Sequence, residues 1–405
     1  MSEYPLRELQ PALERITEAL AKTSGGQTVP MRWSAEHWRI ARAVSSMHGV
    51  SGLLAERREL PVPPDFKGFL ADQRAQIAAH QDRFAVLQGQ IHEEARRAGI
   101  GLVALKGAAL HRLAFYERGE RPTADLDLYV GPRDAERAAR LFARLGFRET
   151  PPTWKHRTFE PVIGNACSRL GEHASNSLKI ELHSHLTERL PQRGIDIAPA
   201  LFASPLEPGI QLYPSRHALM THLLQHAAGA LVFRAIRLIH LHDILRVAQR
   251  MSRSDWDAVL EQTTRAVGFW WAYPPLALTS RYFDAIPPDV IETARRLCHW
   301  PLRQAARRQT LTDLSLSNAR ISVLPGIAWA RTPQEACTHA RYRLLPSREL
   351  RNQRKLQARN VPASGDIAWA RQTQARRAFR ALFGSPARPE TLAAVHAALE
   401  QGAAI

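Results

Sequence analysis

Hydrophobic positions recur every three to four residues through the first hundred residues. Residues 6–22 (LRELQPALERITEALAK) carry this helical period and are followed by the loop TSGGQTVP. Ser34 stands as the cap of a second helix, WRIARAVSSMHGVSGLLAERR. The segment PVPPDF breaks the pattern. A long polar helix is predicted from residue 66 to about 98, ended by Gly99 and Gly101.

The period then shortens. GLVALKG is a short apolar run closed by glycine and reads as a buried strand. AALHRLAFYE reads as a helix and RGERPTA as a loop. DLDLYV alternates strictly, which predicts a strand with one apolar face. PRDAERAARLFARLG has a proline at its start and a glycine at its end, the usual punctuation of a helix. After FRET and WKHRTFEPVI, LKIELHSHL alternates again. Helical periodicity returns at 214–250, in SDWDAVLEQTTRAVG with Ser254 as cap and Asp257 three residues on, and in PPDVIETARRLCHW. GFWWAYPP reads as core packing at a helix end. Weaker helical pieces follow around 301–311, 333–345, 366–383 and 389–401, with VPASGD as a loop between two of them.

The fold class predicted is α+β: a small mixed sheet embedded in a mainly α-helical protein. The expected organisation is an N-terminal helical module (1–98), a β-containing core (99–190), a helical substrate-side module (191–300) and a basic helical C-terminal region (301–405).

Charge and cysteine content narrow the class. The net charge is +17, and only six of the 55 basic residues are lysine. Residues 301–405 hold 17 Arg/Lys against six Asp/Glu, so most of the excess lies there. A solvated helical face or an anionic partner would account for it. Three scattered cysteines exclude a disulfide scaffold and a Cys-rich zinc site, and Cys167 has no base at a recognisable spacing. No apolar run is long enough for a transmembrane segment, and charges interrupt the N-terminal residues where a signal peptide needs an apolar stretch. The expected location is cytoplasmic.

The chemistry concentrates between residues 102 and 183. Asp125 and Asp127 are two apart on a strand and so share a face, while Leu126, Leu128 and Val130 take the other. Two adjacent carboxylates are costly to hold ionised without a cation. Oxygen donors of this kind suit Mg²⁺ or Mn²⁺. In LKIELH, Glu181 likewise faces away from the apolar layer. If the two strands are neighbours, three carboxylates converge, the arrangement for two-metal phosphoryl or nucleotidyl transfer. Upstream, Lys106-Gly107 closes a strand where a helix begins, a place where backbone approaches phosphate closely. Arg121, in the loop before the aspartates, is a second phosphate candidate.

These elements in order resemble the polymerase-β-type nucleotidyltransferase superfamily. More narrowly, LKGAAL, Arg121, DLDLYV, LGF and IELH, followed by HLLQHAA and LHDIL, resemble the bacterial uncharacterised nucleotidyltransferase family over roughly 35–285. The superfamily commonly has Gly-Ser at the phosphate turn. Here it is Gly107-Ala108, which loses a hydroxyl. The resemblance implies a nucleotidyltransferase core, with Asp125, Asp127 and Glu181 as metal ligands and catalytic carboxylates. It implies that Lys106, Gly107 and Arg121 bind nucleotide, with an NTP as substrate and Mg²⁺ (or Mn²⁺) as cofactor. The acceptor stays open between small molecule, peptide or protein, and RNA.

The histidines admit several roles. His183 shares the Glu181 face, and His156 lies in a segment that could cover the site. His222 and His226 share a helix face, with His240, His242 and Asp243 on the next helix. An HD-type phosphohydrolase centre is one reading of that group. The other makes His183, His222, His226 and Asp243 the substrate wall of the nucleotidyltransferase cleft. A rival for the whole chain is a degenerate nucleotidyltransferase fold that binds RNA or an acidic partner through its basic C-terminus.

Overall fold

The computed structural model describes residues 6–27, 29–57, 61–151, 154–162, 170–190, 194–202, 205–266, 268–317, 326–345 and 387–400. The helix expected at 366–383, the loop at 361–366, Cys167 and most of the basic stretch 341–360 lie outside the described residues.

Four helices open the chain: α1 (Leu6–Ser24), α2 (Ala35–His48), α3 (Ser51–Ala55) and α4 (Pro64–Arg97). The Ser34 hydroxyl accepts the His37 N–H at 3.3 Å and so caps α2. Gly49, at φ 70°, closes it in the left-handed conformation. The polar helix α4 is held by a buried stripe that includes Phe66, Leu70, Ile77, Phe84, Leu87 and Ile91.

Among the described residues eight strands follow: β1 (Gly101–Ala104), β2 (Asp125–Val130), β3 (Phe147–Glu149), β4 (Arg157–Pro161), β5 (Lys179–His183), β6 (Thr187–Arg189), β7 (Gly194–Asp196) and β8 (Gly209–Gln211). Six form one sheet in the order β3-β4-β5-β2-β1-β8, and β6 and β7 pair separately. Strand β2 runs parallel to β5 and antiparallel to β1, so the sheet is mixed, as its expected class requires. Sequence periodicity missed β8, β6 and β7, because three residues show no alternation. Strand β8 pairs parallel with β1, so the sheet takes an edge strand from beyond residue 190.

Helices α5 (Lys106–Arg112) and α6 (Ala135–Arg144) connect the early strands. Helix α5 is shorter than its sequence suggests: it starts at Lys106 and gives way to Ala114 at φ 51°. On the apolar face of the sheet, Phe142 of α6 meets Phe159 of β4 edge-on at 5.1 Å. Beyond the short α7 (Ala198–Leu201) come α8 (Arg216–Val232), α9 (Leu238–Ala248), α10 (Arg253–Ala266), α11 (Tyr273–Tyr282), α12 (Pro288–Leu297), α13 (Trp300–Arg308), α14 (Leu311–Ser315), α15 (Pro333–Leu344) and α16 (Pro389–Glu400). The cap of α10 is Ser252, not Ser254: its hydroxyl accepts the Asp255 N–H at 3.2 Å and Asp255 returns the bond to the Ser252 N–H at 2.9 Å. Trp270 and Trp271 are buried, so GFWWAYPP is core. Among the described residues no helix is long and apolar enough to cross a membrane.

Two buried histidines tie the N-terminal helices to α9. His48 Nδ1 accepts the Leu238 N–H at 3.1 Å, and His242 Nε2 meets Ser24 Oγ at 2.8 Å. Burial, then the charge of Arg237 for His48 and of Arg246 for His242, pushes both imidazoles down to about 3. An unfolded chain protonates them near pH 6.5 and the folded one does not. Their contribution is therefore complete above that pH and is lost as pH falls from about 6.5 toward 3. Each withdraws about 2 kcal/mol by pH 5. The thermal midpoint should drop between pH 7 and pH 5, and the drop should be shallower in His48→Asn, which keeps an acceptor without the titration. A midpoint unchanged over that range would refute this.

Candidate active site

The site is built on the polar face of the sheet. The parallel β2–β5 register sets Asp127 opposite Glu181 and Tyr129 opposite His183. Asp125, Asp127, Glu181 and His183 therefore project on one side, while Leu126, Leu128, Ile180 and Leu182 are buried on the other. The three carboxylates anticipated from sequence do converge. Strand β4 lies on the far side of β5 and brings His156 to the same face: its Nε2 is 3.3 Å from Glu181 Oε1.

Charge is distributed unequally among the acids. Lys106 Nζ donates to Asp127 Oδ1 at 2.7 Å, and His183 Nε2 lies 2.9 Å from the same oxygen. Burial would raise the Asp127 carboxyl, but Lys106 and the His183 hydrogen bond hold it well below the usual range. Burial alone would lower Lys106, and Asp127, Glu181 and Asp125 together reverse this and hold its ammonium protonated. Asp125 makes no direct ion pair among the described residues, and Lys106 acts on it only from further off. Burial, then Asp127, raises it. Glu181 is raised further, by burial and then by Asp125 and Asp127, so it keeps a proton and donates to Asp125. Burial, then His183 and Lys106, pushes His156 down to about 3, which leaves its imidazole neutral. One buried and two half-buried carboxylates with one ammonium form a donor set that fits an oxygen-preferring dication.

Lys106 reaches Asp127 from an uncommon backbone. It opens α5 at φ 43°, a left-handed conformation for a residue with a Cβ. The Leu105 N–H donates to Asp127 O at 3.0 Å and the Lys106 N–H to Tyr213 Oη at 3.4 Å, which holds the turn from both sides. Gly107 follows and packs tightly against the loop: a Cβ there would stand 2.3 Å from Arg121 Nη1.

Arg121 is fully engaged. Its Nε and Nη2 donate to the two oxygens of Asp243 at 2.7 Å each, and Nη1 donates to Pro122 O at 3.1 Å. Tyr116 Oη donates to Asp243 Oδ1 at 2.8 Å. Arg121 and Asp243 thus lock the loop before β2 to α9, and both are buried.

These residues line one end of a cavity of about 870 Å³. That is toward the upper end of the roughly 300–1,000 Å³ usual for small-molecule sites. Its other walls include Trp154, Lys155, Glu188, His226, Arg237 and His240. Lys155 bonds Glu188, and His226 Nδ1 lies 3.4 Å from the same carboxylate. Gly229 of α8 admits Glu188, since a Cβ there would stand 2.3 Å from Oε2. His183 and His222 do not line the cavity: His183 backs Asp127, and His222 Nδ1 meets Tyr213 Oη at 2.5 Å behind the wall. The histidines of α8 and α9 assemble no HD-type centre among the described residues. His242 bonds Ser24, His222 bonds Tyr213, and Asp243 is taken by Arg121.

Sequence reasoning missed Arg237. It lines the cavity and makes no ion pair among the described residues. Its Nε and Nη2 donate to the α2 carbonyls of Met47 and Ser46 at 2.7 and 3.4 Å. Nothing in the sequence separates it from the other arginines.

Sheet and site together define a nucleotidyltransferase-type fold. The family model described as "Uncharacterised nucleotidyltransferase" matches residues 34–284, and the chain belongs to that family. No curated protein and no solved structure matches it.

Removing one partner of a buried ion pair strands the other charge. Asp243→Asn should cost about 3–5 kcal/mol in denaturant unfolding, and Arg121→Met/Asp243→Leu should recover most of it. Equal losses in the single and double variants would contradict a buried pair.

Proposed function

We propose that this family member transfers a nucleoside monophosphate from an NTP to a hydroxyl-bearing acceptor and releases pyrophosphate. The observation that carries the reading is the convergence of Asp125, Asp127 and Glu181 on one sheet face at the end of a cavity large enough for two reactants. Mg²⁺ or Mn²⁺ held by these three residues would offset phosphate charge and acidify the acceptor hydroxyl.

The chain supplies the rest. Arg237 offers the triphosphate a guanidinium that makes no direct ion pair among the described residues, though Glu172, Asp125 and Asp243 act on its charge from further off. Lys106 is within reach of Asp127 and turns its ammonium toward phosphate when the nucleotide arrives. Arg121, held by Asp243, fixes the loop that carries the aspartates instead of binding phosphate itself. The acceptor oxygen attacks the α-phosphorus as the bond to the bridging α–β oxygen breaks. Glu181, in its ionised form, takes the hydroxyl proton. The rival reading, a degenerate fold docking RNA or an acidic partner, rests on a basic C-terminus that falls mostly outside the described residues. The retained carboxylate cluster favours the enzyme.

Incubation with each NTP radiolabelled at the α-phosphate, with Mg²⁺ or Mn²⁺ and cell extract, tests the reading. Label should pass to an acceptor with wild type and not with Asp125→Asn. No transfer, together with no divalent-dependent NTP binding by calorimetry, would overturn it.

The two aspartate variants should differ in stability. Asp125→Asn removes a repelled charge and should leave the unfolding midpoint unchanged or raised while transfer is lost. Asp127→Asn leaves Lys106 buried without its partner and should lower the midpoint, with a loss of about 3 kcal/mol or more in unfolding free energy. Equal midpoints for the two would refute the unequal charge pattern.

A further inference from the structure

Three carboxylates alone would make an oxygen-only centre, but the sheet also delivers two imidazoles. The β4–β5 register pairs Arg157 with Leu182, and its next step sets His156 beside His183. The two rings touch edge-to-face with centroids 5.1 Å apart. His156 Nε2 lies 3.3 Å from Glu181 Oε1, and His183 Nε2 lies 3.8 Å from Glu181 Oε2. One ligand atom from each of these three residues lies within 4.8 Å of the others. His183 Nε2 is also 2.9 Å from Asp127 Oδ1.

Those spacings have a meaning for coordination. Adjacent donors about 2.1 Å from a shared ion stand about 3.0–3.4 Å apart in octahedral or tetrahedral geometry. The separations of 2.9 and 3.3 Å are close to that size, and the 3.8 Å from His183 to the other oxygen of Glu181 is longer, so rotamer changes of a few tenths of an ångström would direct these atoms at one point. Imidazole nitrogen is a good ligand for first-row transition ions. Mg²⁺ is hard, prefers oxygen and water, and gains little from it.

We propose that His156, His183 and Glu181, with Asp127 beside them, form a mixed nitrogen–oxygen cation site that prefers first-row transition dications to Mg²⁺. This deepens the proposed function and rests on that reading of the centre. A histidine just before β4 is what separates this site from a plain carboxylate triad, because β4 lies beside β5 on the side away from β2.

Metal binding without nucleotide tests the proposal. Wild-type protein is titrated with Mn²⁺ alone and with Mg²⁺ alone by calorimetry, and bound Mn²⁺ is examined for nitrogen hyperfine coupling by pulsed EPR. Mn²⁺ should bind at least about tenfold more tightly than Mg²⁺ and show imidazole coupling. His156→Ala and His156→Gln should each weaken Mn²⁺ binding about tenfold and reduce the coupling, with Mg²⁺ affinity within about twofold of wild type. Melting curves for both variants establish that they are folded. Equal affinities for the two ions, or bound Mn²⁺ without nitrogen coupling, overturns this inference and leaves nucleotidyl transfer standing. Failure of wild type to bind either ion, with or without NTP, sinks both readings.

Discussion

The buried contact between Lys106 and Asp127 is the interaction on which the centre depends. Three carboxylates crowd one face of a small sheet, and low dielectric makes their mutual repulsion expensive. One ammonium at 2.7 Å removes much of that cost at Asp127. To reach it, Lys106 adopts a left-handed backbone, an arrangement that costs of order 1 kcal/mol or more. The main-chain bond from Leu105 to Asp127 O and the Tyr213 hydroxyl hold the turn in that state. Tyr213 is itself fixed by His222 on α8, so a helix well outside the sheet stabilises the lysine's position.

A second buried pair sets the distance between sheet and helices. Arg121 and Asp243 are 122 residues apart in sequence and form a two-pronged contact. The glycine at 107 is explained by this contact, because any side chain there would collide with the guanidinium. Loop, turn and helix α9 are thus assembled around one arginine. The cavity is therefore a consequence of how α8 and α9 are anchored as well as of the sheet. Arg237, at the head of α9, is anchored in turn by the last carbonyls of α2, which places the N-terminal helices in contact with the site wall.

Much of the site was legible from the two-residue period of strands. It separated Asp125, Asp127, Glu181 and His183 from their apolar neighbours without any knowledge of pairing. Other features were hidden for physical reasons. Alternation cannot say which strands are neighbours, and the parallel β2–β5 ladder that joins the acids spans some fifty residues of chain. The role of His156 depends on β4 lying next to β5, a long-range fact with a weak local signal. Strands of three residues, β6, β7 and β8, carry no period to read. The roles of Arg121 and Arg237 depend on whether a carboxylate faces them, which sequence does not specify. His222 shares a helix face with His226, yet one sits behind the wall and the other on it, because a side chain one turn away meets a different neighbour.

The two aspartates of one short strand end in opposite electrostatic states, and this asymmetry is informative. Asp127 is satisfied by Lys106 and His183, so its presence stabilises the fold as well as the chemistry. Asp125 and Glu181 are hydrogen-bonded to each other, and for both the pull of Lys106 is outweighed by burial and by repulsion from the neighbouring acids. Folding alone would favour replacing that pair with neutral side chains. Holding two repelling acids beside a satisfied one leaves the unfavourable charge concentrated where a dication would bind. The nitrogen atoms of His156 and His183 stand at the edge of the same gap. A site that is locally unfavourable in isolation and favourable once a cation is held has the energetic form expected of a binding centre, and a purely structural cluster would have no reason to keep it.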